Sequence, residues 1–196
     1  MHPEDRSDFE ARKQRVLAET PWLYADFSLG FGYEEVPPQR PYRFTIEIYD
    51  GFMPDVWTGR IGHAISDRVK DLIEEMEPGR HRFWPVEVTD GTRDYPGYWL
   101  LNTCVDLDTI DRDRSNVHVD KIQEDDPRYH WLYPKFSVGD KDAFKAGITC
   151  RRELFAGHHL WCERMFDGYT FLSTEMRDRL TEMAVTGVWF QPMQEI

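Results

Sequence analysis

The sequence is poor in cysteine and in basic residues, and it lacks long apolar runs. Its three cysteines, Cys104, Cys150 and Cys162, are an odd number without the spacing of a disulfide framework, so we expect a reducing compartment. Residues 1–13 are charged and contain no apolar core of a secretory signal. No run of about 18 apolar residues could cross a bilayer. These absences predict a soluble, cytoplasmic protein that does not enter membranes.

Basic residues are outnumbered, because 24 Lys and Arg stand against 36 Asp and Glu and give a formal net charge of −12. Repulsion by phosphate argues against nucleic acid or an anionic membrane as the main partner. A protein partner with a basic surface fits the charge better, although acidity also serves solubility alone. With 196 residues, 40% of them hydrophobic, the chain can bury one sizeable core. We therefore expect one compact domain.

Catalytic signatures are also missing. The sequence has no G-x-S-x-G elbow, no phosphate-binding glycine loop and no H-E-x-x-H helix. A trio such as Cys104, His118 and Asp108 can be chosen from almost any chain of this length, so it carries no weight as a triad. We predict a protein that is not an enzyme, with no catalytic residues and no cofactor. An enzyme that uses clustered carboxylates is kept as an alternative.

What the sequence does contain is a diverged repeat, residues 64–88 and 171–193. Six identical pairs align without a gap, namely Ser66 with Ser173, Asp71 with Asp178, Glu75 with Glu182, Met76 with Met183, Phe83 with Phe190, and Pro85 with Pro192. Each copy has the apolar spacing of a helix with one buried face, after a serine that can act as N-cap. Pro78-Gly79 and Gly187 are expected to end the helices, and aromatic runs typical of strands follow. The pattern predicts one helix-turn-strand unit used twice.

Other segments predict further strands. Residues 42–49 alternate, with Tyr42, Phe44, Ile46 and Ile48 on one face. Residues 98–105 are mostly apolar and should form an antiparallel hairpin with residues 83–88. Short strands are predicted within residues 146–151 and 160–166, and a short polar helix within residues 8–19.

Together these elements predict an α+β fold, a mainly antiparallel sheet packed by the two similar helix-turn-strand units. Residues 1–55 would form an N-terminal segment, with one short helix and one strand, that packs on a main domain of residues 56–196. The whole chain would be one compact domain.

Negative charge is densest between residues 105 and 126, where aspartates first alternate with apolar residues. Closely spaced carboxylates can bind calcium, but the central glycine and closing glutamate of an EF-hand loop are absent. A solvated strand end and loop would also explain the segment. We favour an acidic surface that faces a basic partner.

A second possible metal site consists of Cys150, His158, His159 and Cys162, which lie within thirteen residues. They could supply ligands to zinc, but they lack the paired C-x-x-C or H-x-x-x-H spacing of known sites. Partly buried residues with structural contacts are the simpler interpretation. We predict no metal.

Several motifs together resemble a known family. They are Ile65-Ser66-x-Arg68, Leu72, Glu75, Gly79, Phe83-x-Pro85-Val86, the YWLLN run at 98–102, Leu107-Asp108, Asp111, Phe171-x-Ser173, Leu180 and Gly187-Val188-x-Phe190-x-Pro192. In this order they are similar to immunity protein family eleven of bacterial polymorphic-toxin systems, formerly a domain of unknown function. The resemblance covers residues 56–193, with an unmatched insertion at 117–145, and leaves the first fifty or so residues uncovered. Glu175 departs from the repeat, since the first unit has Arg68 there.

The resemblance implies a small cytoplasmic protein, encoded beside a toxin, that binds the toxin's effector domain and blocks it stoichiometrically. It carries over no catalytic residues. Variable segments often hold partner contacts, so we place the candidate partner-binding residues in the acidic and aromatic stretch. These are Asp106, Asp108, Asp111, Glu124, Asp125, Asp126, Tyr129, Trp131 and Tyr133. The alternatives are a small-molecule-binding or regulatory module, whose two units would form a cleft, and the enzyme mentioned above.

Overall fold

A computed structural model describes residues 42–46, 52–59, 62–121, 130–135, 147–163, 166 and 169–196. Its largest sheet has five strands in the order β1-β4-β5-β3-β2. Their bounds are Tyr42–Thr45 for β1, Val56–Gly59 for β2, Gly62–Ser66 for β3, Arg82–Thr89 for β4 and Asp94–Asn102 for β5. Helix α1, Asp67–Met76, follows β3 directly, and helix α2, Thr174–Glu182, lies near the C-terminus. The α+β class is therefore confirmed.

The pairing in this sheet is antiparallel except where β1 joins β4 in parallel. The predicted hairpin is confirmed as β4 and β5, which are joined by a turn in which Asp90 accepts hydrogen bonds from the N–H groups of Thr92 and Arg93. In β1 and just after it, Phe44 and Ile46 are buried, as the alternation predicts. The predicted continuation over residues 47–49 and the helix within residues 8–19 fall outside the described residues.

The other strands are short and form three small sheets. In the first, β10 (Leu160–Glu163) lies between β11 (Thr170–Leu172) and β6 (Asp106–Leu107). The others pair β7 (Val117–Lys121) with β8 (His130–Pro134), and β9 (Thr149–Cys150) with β12 (Gln194–Glu195). A 3-10 turn, Arg152–Leu154, follows β9. The strands predicted within 146–151 and 160–166 are thus found, in shortened form.

Apolar side chains cover both faces of the five-stranded sheet, as the side-chain alternation along β5 requires. One cluster contains Phe44, Trp84, Val86 and Leu100. A second contains Ile65 and Leu101 of the sheet, Val69, Leu72 and Ile73 of α1, and Met176 and Leu180 of α2. Because both helices contribute to the second cluster, they pack on the same side of the sheet. A third cluster, built around Trp161, Phe166 and Phe171, fills the space between the small sheets.

The prediction of two similar helix-turn-strand units is only half correct. Both helices occur where the repeat places them, but residues 188–193 form no strand. The residues just before them are held by a long-range contact, in which the Val56 N–H donates to the Thr186 carbonyl at 3.0 Å. A Cβ on Gly187 would lie 2.0 Å from the Val56 oxygen. The segment after α2 is therefore pressed against the start of β2 and does not repeat β4.

The helix ends also differ from the prediction. Ser173 does cap α2, since its hydroxyl accepts the Met176 N–H at 3.1 Å, but the Ser66 hydroxyl makes no such bond. Gly187 does not end α2 either. Ala184 takes the left-handed conformation with φ of 50°, and the Val185 N–H donates to the Leu180 carbonyl. This is the Schellman pattern of a helix end, which usually favours glycine.

Asp55 explains why Ser66 does not cap. Its carboxylate accepts hydrogen bonds from the Ser66 hydroxyl at 3.0 Å and from the Arg68 guanidinium. The N–H of Thr186 also donates to it at 3.0 Å, from 131 positions away. The Arg68 guanidinium holds the pKa of Asp55 well below its usual value, against the opposing effect of burial. The start of α1 and the segment after α2 are thus joined through one carboxylate.

Candidate functional site

The acidic segment 106–111 is fixed in place by a buried acid, Glu163 of β10. Both of its carboxylate oxygens accept the Thr109 N–H at 2.9 Å, and the Trp161 indole N–H donates at 3.1 Å. Burial raises the pKa of Glu163 to about 7. Sequence reasoning missed this residue, because a single glutamate at the end of a short strand carries no signal of burial.

The three predicted aspartates of this segment lie close together along the chain, and two of them make local contacts. Asp106 is half-buried in β6, opposite Cys162 of the parallel strand β10. Asp108 lies 3.1 Å from the Arg112 guanidinium. Asp111 accepts the backbone N–H groups of Asp113 and Arg114, both at 3.1 Å. Two of the three carboxylates therefore shape their own turn.

Of the remaining predicted partner-binding residues, only Trp131 and Tyr133 lie within the described part of the chain. Glu124, Asp125, Asp126 and Tyr129 lie outside the described residues. Trp131 and Tyr133 belong to β8, where their backbone positions face Asp120 and His118 of β7. The grouping of these residues with the aspartates stays a prediction.

The histidines and cysteines that suggested zinc have separate surroundings. Cys150 is buried, which raises the pKa of its thiol to about 12. The His159 ring lies 2.9 Å from the Ser173 hydroxyl, and the His158 ring lies 3.7 Å from the Glu77 carboxylate. Within the described ranges, no three His, Cys, Asp or Glu side chains are grouped so as to hold a metal ion.

A surface cleft of about 490 Å³ lies between α2, the 3-10 turn and the C-terminal residues. Its lining comprises Arg152, Phe155, Ser173, Thr174, Glu175, Asp178, Arg179, Glu182 and Glu195. Four of these nine residues are acidic, and they come from α2 and β12. No sequence pattern indicated this grouping, because β12 is a two-residue strand and α2 was interpreted only as part of the repeat. The cleft therefore combines four carboxylates with two guanidinium groups.

With this geometry established, comparison with known proteins identifies the family. The model of the immunity protein family Imm11 matches residues 4–195. The chain belongs to the Imm11 family. The predicted family is thus confirmed, and its extent is corrected. The match includes most of residues 1–55 and the whole of 117–145, which the resemblance left uncovered. No curated protein matches the chain significantly.

Imm11 membership indicates an immunity function for this chain. Among the described helices, none has the length and apolarity needed to span a membrane.

This Imm11 chain contains an enclosed pair, Glu77 and His81, with the residue types of an acid–base pair. The His81 ring lies 2.9 Å from the Glu77 carboxylate, and both side chains are almost completely buried. The Cys104 N–H donates to the other ring nitrogen of His81, so the nitrogen facing Glu77 carries the proton. A neutral imidazole therefore donates to the carboxylate. Because both side chains are almost completely excluded from solvent, the pair has the character of a structural contact.

Proposed function

We propose that this Imm11 protein binds the effector domain of a cognate bacterial toxin and neutralises it by stoichiometric inhibition. The family match over residues 4–195 is the observation that carries the proposal. Inhibition requires only a stable complex that covers or distorts the toxin's working surface. The protein itself would need no catalytic group and no cofactor, and we expect it to act in the cytoplasm.

The charge of the chain supports a toxin with a basic surface. A net charge of −12 accelerates encounter with a cationic partner and disfavours nucleic acid and anionic membranes. Asp108 and Asp111 would contribute to this attraction, together with Asp106, Glu124, Asp125 and Asp126. The aromatic residues Tyr129, Trp131 and Tyr133 would supply the apolar contacts that slow dissociation.

The exposure of the acidic residues favours binding over catalysis. A carboxylate that acts as general acid or base is normally buried enough for its proton affinity to be tuned. The Glu175 side chain in the cleft is 70% exposed and that of Asp178 is 54% exposed. Water surrounds these groups, so they suit attraction of a charged partner better than proton transfer.

Co-expression tests the proposal. The toxin encoded beside this gene would be expressed in a susceptible bacterium with and without this protein, with an inactive toxin variant as control for expression burden. We expect growth to be restored only when this protein is present, and native mass spectrometry to show a complex of fixed stoichiometry. Failure to protect, combined with no complex, would refute the immunity function.

A further inference from the structure

We propose that the contact between Glu163 and Thr109 is a pH-sensitive switch, which holds segment 108–111 on β10 when the carboxyl is protonated and opens more often when it is ionised. The proposal concerns the small sheets alone and does not depend on the proposed immunity function. The segment contains Asp108 and Asp111, two of the candidate partner-binding residues. The switch therefore sets how firmly these two side chains are held.

The switch joins a side chain of β10 to a single residue of the segment. Both oxygens of the Glu163 carboxylate accept the Thr109 N–H at 2.9 Å, and the Thr109 hydroxyl also donates to it. The Trp161 indole N–H is a third donor, at 3.1 Å. Glu163 is 3% exposed and Thr109 is completely buried. The contact is thus an internal junction between parts of the chain that are 54 positions apart.

The charge of an ionised Glu163 is poorly compensated at this junction. All three donors are uncharged, and they are the only described groups that donate a hydrogen bond to this carboxylate. Uncharged donors replace only part of the hydration that a carboxylate loses on burial. A proton removes this cost, and the carboxyl O–H can then donate to the Thr109 hydroxyl oxygen. Burial accordingly raises the pKa of Glu163 to about 7.

Other titratable and charged groups near the junction come from β6, β9, β10 and the residues that follow β6 and β9. They are Asp106, Asp108, Arg112, Cys150, Arg151 and Cys162. The negative charge of Asp108 raises the pKa of Glu163 further, and Arg112 is bound to Asp108 at 3.1 Å. Burial raises the pKa of the Cys150 thiol to about 12, so this group is neutral near pH 7. Burial and Asp108 together thus favour the protonated form of Glu163.

The other side of the segment is held independently of Glu163. The Asp111 N–H donates to the Thr149 carbonyl of β9 at 2.8 Å. The Arg151 N–H donates to the Thr109 carbonyl at 2.9 Å. Because these backbone bonds contain no titratable group, ionisation of Glu163 loosens one attachment and leaves the other. The expected event is a local opening at Thr109, separate from unfolding of the domain.

Amide hydrogen exchange followed by NMR tests the switch, because Thr109 and Asp111 are near neighbours with different acceptors. The Thr109 N–H is bonded to the titratable carboxyl, whereas the Asp111 N–H is bonded to a backbone carbonyl and serves as internal control. Protection factors, corrected for the intrinsic exchange rate, would be measured at about pH 6 and about pH 8 in the wild type and in Glu163→Gln. The glutamine amide can accept and donate as the protonated carboxyl does, but it does not ionise.

The raised pKa in the closed state means that stability of the contact is lost as pH rises through about 7. With the ordinary value of 4.5 in the open state, we expect the protection factor of Thr109 in the wild type to fall roughly tenfold between about pH 6 and about pH 8. That of Asp111 should change by less than about twofold, and in Glu163→Gln both should be independent of pH. An equal pH dependence of the two amides in the wild type, or an unchanged fall in Glu163→Gln, would overturn the switch.

The chemical shift of the Trp161 indole proton is a second test that requires no variant. This proton is donated to the Glu163 carboxyl, so its shift should titrate in the wild type with one midpoint near pH 7. No titration between about pH 5 and about pH 9 would overturn the proposal even if Glu163→Gln did not fold. Neither measurement uses the toxin, so either outcome leaves the immunity function to its own test.

Discussion

The five-stranded sheet with α1 and the small sheets with α2 are stabilised differently. The five-stranded sheet has strands of four to nine residues, and α1 covers it with Val69, Leu72 and Ile73. The small sheets have strands of two to five residues, and specific polar contacts such as those of Glu163 hold them. Both regions bury an apolar cluster, but the second adds a buried carboxylate, Glu163, whose hydrogen bonds join β10 to Thr109. The second region also carries the aspartates of segment 106–111 that are proposed to bind the partner.

The segment after α2, which joins the two regions, should be the most sensitive to substitution. Gly187→Ala would put a methyl group 2.0 Å from the Val56 oxygen and 2.8 Å from Pro54, at a φ of +82°. We expect a loss of about 4 kcal/mol in the free energy of unfolding, from combined overlap and backbone strain. Urea unfolding measures it. Gly79→Ala is the control, because its φ is +69° but nothing lies within 4 Å, and it should cost only about 1 kcal/mol.

The apolar region should show the next largest effect. Leu72→Ala empties a site that is 3% exposed in the cluster shared by α1 and α2, and we expect a loss of about 3 kcal/mol. The exposed neighbour Asp71→Asn should change stability by less than about 0.5 kcal/mol. A cost for Leu72→Ala below that of a surface substitution would contradict the assignment of this region to apolar burial.

The region of the small sheets should respond to pH through Glu163. Its folded pKa of about 7 lies above the ordinary value of 4.5, so the carboxyl contributes stability below about pH 4.5 that is lost as pH rises through 7. We expect the wild type to lose about 2 kcal/mol from this group between about pH 5 and pH 8. Glu163→Gln removes the titration, so the stability difference between variant and wild type should change by this amount. A difference that stays constant with pH would show that Glu163 does not titrate there.

The smallest expected effect is a difference in stability cost between substitutions of the serines that precede the two helices. Ser173→Ala removes the hydroxyl that accepts the Met176 N–H, and it should cost about 1 kcal/mol. Ser66→Ala removes no cap, and Asp55 keeps its bonds to Arg68 and Thr186, so the cost should be below about 0.5 kcal/mol. Thermal unfolding of both variants in parallel measures the difference. Equal costs would mean that the two serines have the same role at their helix starts, as the repeat predicts.

Alternation along β1 and the apolar stripe of α1 predicted these two elements, because one buried face imposes a period on the sequence. The aromatic and apolar runs of β4 and β5 predicted the hairpin. The second unit failed at residues 188–193, although Phe190 and Pro192 match Phe83 and Pro85. Strand formation needs a pairing partner, and the contact of Gly187 with Val56 leads this segment elsewhere.

Asp108 and Asp111 were singled out because acidic residues are dense along that stretch of the sequence, and their role in binding stays a prediction. The acids of α2 were missed as a group with Glu195, since the fold brings α2 and β12 together through the small sheets. A density of charge along the chain is visible in a sequence, whereas a density of charge in space is not.

The sequence by itself determined the α+β class, the acidity and the two helices, because each follows from composition or from a local period. Its motifs also carried the resemblance to the family. Only the tertiary structure decided that the Ser66 hydroxyl serves Asp55, that Glu163 is buried, and that Glu195 faces the acids of α2. Each of these depends on a partner distant in the chain, such as Thr186 for Asp55, 131 positions away. Local patterns carry no information about which distant group completes a hydrogen bond.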